Sequence, residues 1–270
     1  MPSSSRHRRW RNGLARYLPP ATLILALLVL WELATHVWQI EAWLLPSPVA
    51  IARAALAARH LLGPHIWQTA QETFWGFLAA LAVGISLGLL IEFWPLARDA
   101  LYPLLVVSQT VPTIAIAPLL VIWFGYGIWP KIIVVGLICF FPIVVSTADG
   151  LRGADPELVA LLRTMGASQR DIFLKVRLPG AMPAVFSGIK IAITYSVVGA
   201  IIGEWVGASR GLGIFMLRAS NSFLTDRVFA AIAVTSLLSI AMFLMVVGIE
   251  RAVLRWYYTA ARQEQWEEVR

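Results

Sequence analysis

Apolar residues in this chain gather in long unbroken runs, not in the period-two alternation of half-buried strands or the narrow stripes of water-soluble helices. Six runs are about the length a helix needs to cross a hydrocarbon core: Leu18 to Trp38, Gln71 to Trp94, Tyr102 to Phe124, Pro130 to Ala148, Val185 to Trp205 and Val228 to Ile249. Lipid offers the backbone no hydrogen-bond partners, so groups inside such runs must pair within their own helix. The pattern predicts an all-α fold, a polytopic transmembrane helical bundle of about six spans.

The polar positions between the runs predict the topology. Arg6, Arg8, Arg9, Arg11 and Arg16 precede the first run, and Arg251, Arg255, Arg262 and Arg270 follow the last. Arginine favours the cytoplasmic side, so both termini are expected inside. Residues 1–66 then read as a flexible basic tail, a first span and an external segment, and residues 251–270 as a cytoplasmic tail. The first run lacks a small-residue cleavage site and reads as an uncleaved span. Residues 39–67, with Leu-Pro-Ser-Pro at 45–48, an alanine-rich stretch and Gly63-Pro64, read as turns and a short helix lying along the outer surface. Gly125 to Pro130 reads as a tight outer turn, and residues 207–227 as a long outer segment. Arg53, Arg59, Lys131, Arg210, Arg218 and Arg227 are the basic residues left outside.

The main polar island is Asp149 to Pro183, which reads as two short helices on a hinge. Asp155 can accept from the unpaired N–H groups of a first helix, Pro156 suits its first turn, and Glu157 favours the positive end of its dipole. Gly166 takes a left-handed C-cap without steric cost, and Ser168 with Asp171 forms a capping-box pattern for a second helix. Leu178-Pro179-Gly180 is expected to end it. Leu158, Leu162 and Met165 share one helical stripe, while Arg163, Gln169, Arg170, Lys175 and Arg177 surround the hinge. A capped knob with an apolar tip suits a groove on another protein; the alternative is an amphipathic pair resting on anionic lipid.

Inside the spans, polar and small residues carry what chemistry there is. Gly76, Gly84, Ser86 and Gly88 give the second span a smooth face for another helix. The third span contains Ser108, Gln109 and Thr110 with Pro112 and Pro118, a combination tolerated where a helix borders a cavity; interhelical hydrogen bonding is the alternative. Tyr195, Ser196 and Glu204 are the polar members of the fifth span, and Lys190 is expected to snorkel toward the cytoplasm. Ser108, Gln109, Thr110, Tyr195, Ser196 and Glu204 are the candidate substrate-path residues. Glu204 reads equally as a gate, an ion-pair residue or a wet interfacial acid.

Composition narrows the class. Of 270 residues, 59% are hydrophobic and 14% charged, more apolar surface than a soluble domain of that size can hide. The net charge of +7 clusters between apolar runs and follows topology, so no nucleic-acid partner is expected. Cys139 is the single cysteine, which excludes an intrachain disulfide. His7, His36, His60 and His65 lack metal-ligand spacing, and neither a nucleophile triad nor a phosphate-binding loop is present. No catalytic or metal site is expected, and any ATP must be hydrolysed by another chain.

The central island resembles the cytoplasmic loop of integral-membrane permeases of bacterial ABC importers, whose pattern is Glu-Ala-Ala, three residues, Gly, nine residues, Ile, one residue, Leu-Pro. Gly166, Val176, Leu178 and Pro179 fall on that spacing, with Val in place of Ile, whereas Ala160, Leu161 and Leu162 stand where Glu-Ala-Ala would be. The resemblance extends over residues 67–250 as a type I importer transmembrane domain with a coupling loop at 149–183. Residues 108–131 and 140–151 are similar to the branch serving nitrate, sulfonate, taurine and thiamine-precursor pyrimidines, and within it Gln-Thr-Val-Pro at 109–112 and the run from Gly211 to Ala230 look closest to the thiamine-precursor and riboflavin type.

The resemblance implies an importer permease acting as a homodimer in a bacterial inner membrane. Its partners would be two cytoplasmic ATPases, which carry ATP and Mg, and an extracytoplasmic solute-binding protein. It also implies ATPase docking through Leu158, Leu162, Arg163, Met165, Gly166, Ala167, Ser168, Arg170, Val176, Leu178 and Pro179. A polytopic membrane enzyme would need clustered acids, His or Cys at the interface, and here the acids are spread out. A channel or secondary transporter would work without ATP.

Overall fold

The computed structural model describes residues 4–259, with side chains from residue 18. The arginine side chains of the N-terminal segment, and Arg262 and Arg270, lie outside the described residues. The helices in chain order are α1 Ser4–Val37, α2 Pro48–Ala57, α3 Arg59–Phe93, α4 Pro95–Ser108, α5 Thr113–Phe124, α6 Trp129–Arg152, α7 Pro156–Thr164, α8 Gln169–Ile172, a π-helical turn Phe173–Arg177, α9 Leu178–Trp205, α10 Leu212–Asn221 and α11 Thr225–Val253. No strand occurs among the described residues. The chain divides into two compact units, Met1–Leu62 with Met216–Ile232 and Gly63–Phe215 with Ala233–Arg270.

In the first unit, the Leu18–Val37 part of α1 is mostly apolar and largely exposed, with Leu23 62%, Leu25 63% and Leu30 61% accessible, as suits a helix surrounded by lipid. Ser47 caps α2 by accepting from the Ala50 N–H, and Glu32 of α1 accepts from the Val49 N–H at 3.0 Å. The Thr225 hydroxyl donates to the Trp43 carbonyl at 2.6 Å, tying the segment between α1 and α2 to the start of α11.

The second unit is built on α3, α6 and α9. Its core joins Ala80 of α3, Val135, Cys139 and Ile143 of α6, and Ala192, Ile193 and Ala200 of α9, all nearly inaccessible. The small face of α3 meets α6: a Cβ at Gly76 would lie 2.5 Å from Val135 Cβ, and one at Gly84 2.8 Å from Ile143 Cγ2. Gly76, Gly84 and Gly88 are thus taken up by packing within the chain, while Ser86 is exposed. Cys139 is buried and donates to the Ala192 carbonyl, a packing role.

Among the described residues five helices are long and apolar enough to cross a membrane, and α4 with α5 is an apolar pair bent by 98°, the geometry of a broken span or a re-entrant loop. The sequence reading of one continuous third span is therefore corrected. The helix stops at Ser108 and restarts at Thr113, because Pro112 has no N–H for the ladder and disfavours helical backbone at Val111. Two other boundaries also move. Gly63-Pro64, read as a turn, lies inside α3, where Pro64 removes one backbone hydrogen bond near the helix start. Leu178-Pro179-Gly180, read as a terminator, begins α9, because a first-turn proline wastes no donor.

Candidate functional site

The knob at residues 155–172 is assembled by its caps. Asp155 Oδ1 accepts from the Glu157 N–H at 2.8 Å, starting α7. At the other end the Ala167 N–H reaches the Leu162 carbonyl and the Gly166 N–H reaches the Arg163 carbonyl, both at 3.0 Å, with Gly166 at φ +79°. These two bonds form a Schellman closure, which requires the left-handed conformation that glycine adopts freely. Ser168 then starts α8: its hydroxyl accepts from the Asp171 N–H at 3.1 Å and donates to the Asp171 carboxylate. Val159 and Ile172 are the buried anchors of the two short helices.

The outward stripe of α7 is Leu158, Leu161 and Met165, accessible to 42%, 55% and 73%, while Leu162 is half-buried. Sequence reasoning put Leu162 on that stripe and missed Leu161; spacings of four and three both fit one helical face, and only the burial of Val159 fixes which way α7 rolls. Arg163, Gly166, Ser168 and Arg170 are exposed around the hinge, Ala167 is partly covered, and Val176, Leu178 and Pro179 are half-buried at the root of α9. The whole set except the root residues surrounds one turn.

A clamp that sequence reasoning missed holds this root. Glu92, at the end of α3, receives Arg177 Nη1 at 2.7 Å and stands 3.5 Å from Arg152 Nε. The available signal was an acid at the edge of an apolar run, where an unpaired charge is costly. The Lys190 ammonium pairs with Glu250, in the last turn of α11, at 3.0 Å.

The candidate path residues separate into two groups. Ser108, Gln109 and Thr110 are exposed together at the break between α4 and α5. Ser108 and Thr110 donate back to the Leu105 and Val107 carbonyls at 2.7 and 2.8 Å, which finishes α4. The Gln109 carboxamide has no partner among the described residues, and no side chain caps the α5 N-terminus, so backbone donors are open at the break. Tyr195 is also exposed, at 53%.

Ser196 and Glu204 are fully buried. The Ser196 hydroxyl donates within its own helix to the Ile193 carbonyl. Glu204 Oε1 accepts from Thr69, and Oε2 accepts from the Gly213 N–H. Thr69 also accepts from the Leu212 N–H at 2.8 Å, and His65 accepts from the Gly211 N–H at 2.9 Å. Glu204 is thus neither wet nor open to a path. It pins the 211–213 turn onto α3, and a Cβ at Gly211 would overlap its carboxylate.

Residues 80–255 match the binding-protein-dependent transport system inner membrane component family. The chain belongs to that family. Over 88% of its length this permease is 39% identical to the formylaminopyrimidine transport permease protein ThiX of Halalkalibacterium halodurans, covering 96% of that protein. It is 33% identical to the riboflavin transport system permease protein RibX of Chloroflexus aurantiacus, over 88% of this chain and 89% of that one. With the taurine transport system permease protein TauC of Escherichia coli the figures are 30%, 94% and 95%. Its fold matches an inward-facing MetNI methionine ABC transporter structure with TM-score 0.63 at 21% identity, over 73% of this chain and 98% of that one.

The permease is accordingly a multi-span inner-membrane subunit of an ABC importer, served by a solute-binding protein and by ATPase chains that hydrolyse the ATP. It is a transport subunit and not an enzyme. Type I importer permease architecture, read from the spans and the loop, is the one the chain has.

Proposed function

We propose that this permease admits a small planar nitrogen heterocycle, a thiamine-precursor pyrimidine or a riboflavin-like compound, handed over by the binding protein. The observation that carries this reading is the 39% identity to a formylaminopyrimidine permease over nearly the whole chain, against 30% for the taurine permease. Two copies of the chain form the path, and two ATPases dock on residues 149–183, with Leu158, Leu161, Arg163, Met165 and Gly166 at the contact. Both termini lie in the cytoplasm. Gln109, with the open α5 N-terminus beside Ser108 and Thr110, contributes the donors and acceptors that a heterocycle leaving water requires, and Tyr195 offers a ring face. Ser196 and Glu204 hold the scaffold.

Coupling follows from two-state logic. ATP draws the ATPases together, the docked knobs move with them, and the helices repack toward an outward-open state that the loaded binding protein also favours. The deciding experiment is uptake by vesicles containing permease, ATPase and binding protein, offered labelled formylaminopyrimidine, riboflavin or taurine in turn. ATP-dependent uptake of the heterocycle alone supports the reading; uptake of taurine alone assigns the permease to the sulfonate branch instead.

A further inference from the structure

The cytoplasmic loop encloses a cavity of about 520 Å³ whose wall comes entirely from residues 149–183. Arg152 stands at the end of α6, Pro156, Val159, Ala160 and Arg163 come from α7, and Arg177 comes from the π-helical turn. Arg152 and Arg177 share the single carboxylate of Glu92. Arg163 has no ion pair among the described residues, and Asp155 beside the cavity is committed to its helix cap. Three guanidinium groups line the cavity against the shared carboxylate of Glu92 and the capping carboxylate of Asp155, so positive charge is in excess.

Two features indicate what this charge faces. Every lining residue belongs to the polar loop, with Arg152 at the end of α6 and Arg177 just before α9. The same short helix that carries Arg163 also carries the unpartnered apolar stripe of Leu158, Leu161 and Met165. An apolar ridge beside a basic hollow complements a folded protein surface that pairs an apolar groove with an acid.

We propose that the cavity receives an acidic side chain of the partner ATPase, so that at this contact the permease supplies the cation and the ATPase the anion. The proposal rests on the reading of residues 149–183 as the docking loop. The ATPase carboxylate pairs with Arg163, whose planar fork suits two parallel hydrogen bonds, while Arg152 and Arg177 supply a positive surround already fixed by Glu92. Ala160 on the same wall presents no acid to repel it.

The test uses the permease purified as a complex with its ATPase. Arg163→Lys places an amine in the cavity, and a water-soluble carbodiimide activates a touching carboxylate. The amine then displaces the reagent as its urea and forms an amide. The expected result is a permease–ATPase cross-link about fivefold or more above Arg163→Gln, which keeps Lys175 as background, mapped by mass spectrometry to an ATPase Asp or Glu. Arg163→Glu should cut salt-resistant co-purification and uptake about tenfold or more. An intact Arg163→Lys complex that gives no such cross-link overturns the charge assignment alone. So does an Arg163→Glu complex that keeps its ATPase but loses stimulation by anionic lipid, which gives the cavity to a headgroup. Wild-type permease that never co-purifies with ATPase brings down the docking reading, and this proposal with it.

Discussion

The Thr69 hydroxyl donates to Glu204 Oε1 at 2.6 Å across 135 residues of sequence, and both side chains are fully buried. One hydroxyl thus satisfies a carboxylate on α9 and, as acceptor, the Leu212 N–H of the following turn. Thr69→Val keeps the shape but takes the Thr69 donor from Glu204 Oε1 and strands the Leu212 N–H, at about 1–3 kcal/mol for each buried polar group left unpaired. The expected outcome is a lower midpoint of thermal unfolding in detergent, with Thr69→Ser close to wild type.

Helix α3 should tolerate no added side chain where it meets α6. Gly84→Leu inserts a side chain where even a Cβ would lie 2.8 Å from Ile143 Cγ2, and overpacking of this kind costs about 1–3 kcal/mol. Poor recovery of folded protein is expected, whereas Gly127→Ala, with nothing within 4 Å, should express normally. Size-exclusion profiles of the two variants side by side provide the check.

Gly166 is set by conformation, not by space, since nothing lies within 4 Å of a Cβ built there and φ is +79°. Gly166→Val pays about 1–2 kcal/mol for left-handed backbone or straightens the hinge. Substrate-stimulated ATP hydrolysis in vesicles should be lost while membrane insertion is retained. Gly166→Asn, which tolerates the left-handed region, should keep most of it. Equal coupling in the Val variant would end the hinge reading.

Removing Glu92 should free the loop from α3. Glu92→Ala leaves Arg152 and Arg177 without their carboxylate, and the partial exposure of both arginines holds the cost to on the order of 2 kcal/mol. Faster trypsin cleavage at these two arginines is expected, together with reduced uptake. Unchanged cleavage would show that the pair does not position the loop.

The proposed orientation is open to labelling. In a Cys139→Ala background, single cysteines at Gly63 and Ser209 should react with an impermeant maleimide from outside, and one at Ser168 only after the membrane is opened. The reverse pattern would invert the topology.

The length of its apolar runs alone determined that this protein is a helical membrane bundle, because a hydrocarbon core sets a minimum span and forbids open backbone. The caps at Asp155, Gly166 and Ser168 were equally legible, since each involves a bond or dihedral within a few residues of its own position. The third span was half legible: the residues of the break were visible, but Pro112 is compatible with a kinked helix or a broken one, and the 98° bend was settled by packing. Glu204, Glu92 and Lys190 were visible as charges in apolar surroundings, but their meaning depended on Thr69, Arg177 and Glu250, respectively 135, 85 and 60 residues away. Local sequence fixes what each segment can satisfy by itself. Only the tertiary structure decides which distant partner satisfies a buried polar group, because that pairing depends on which helix faces meet, and the small face of α3 against α6 is what brings them there.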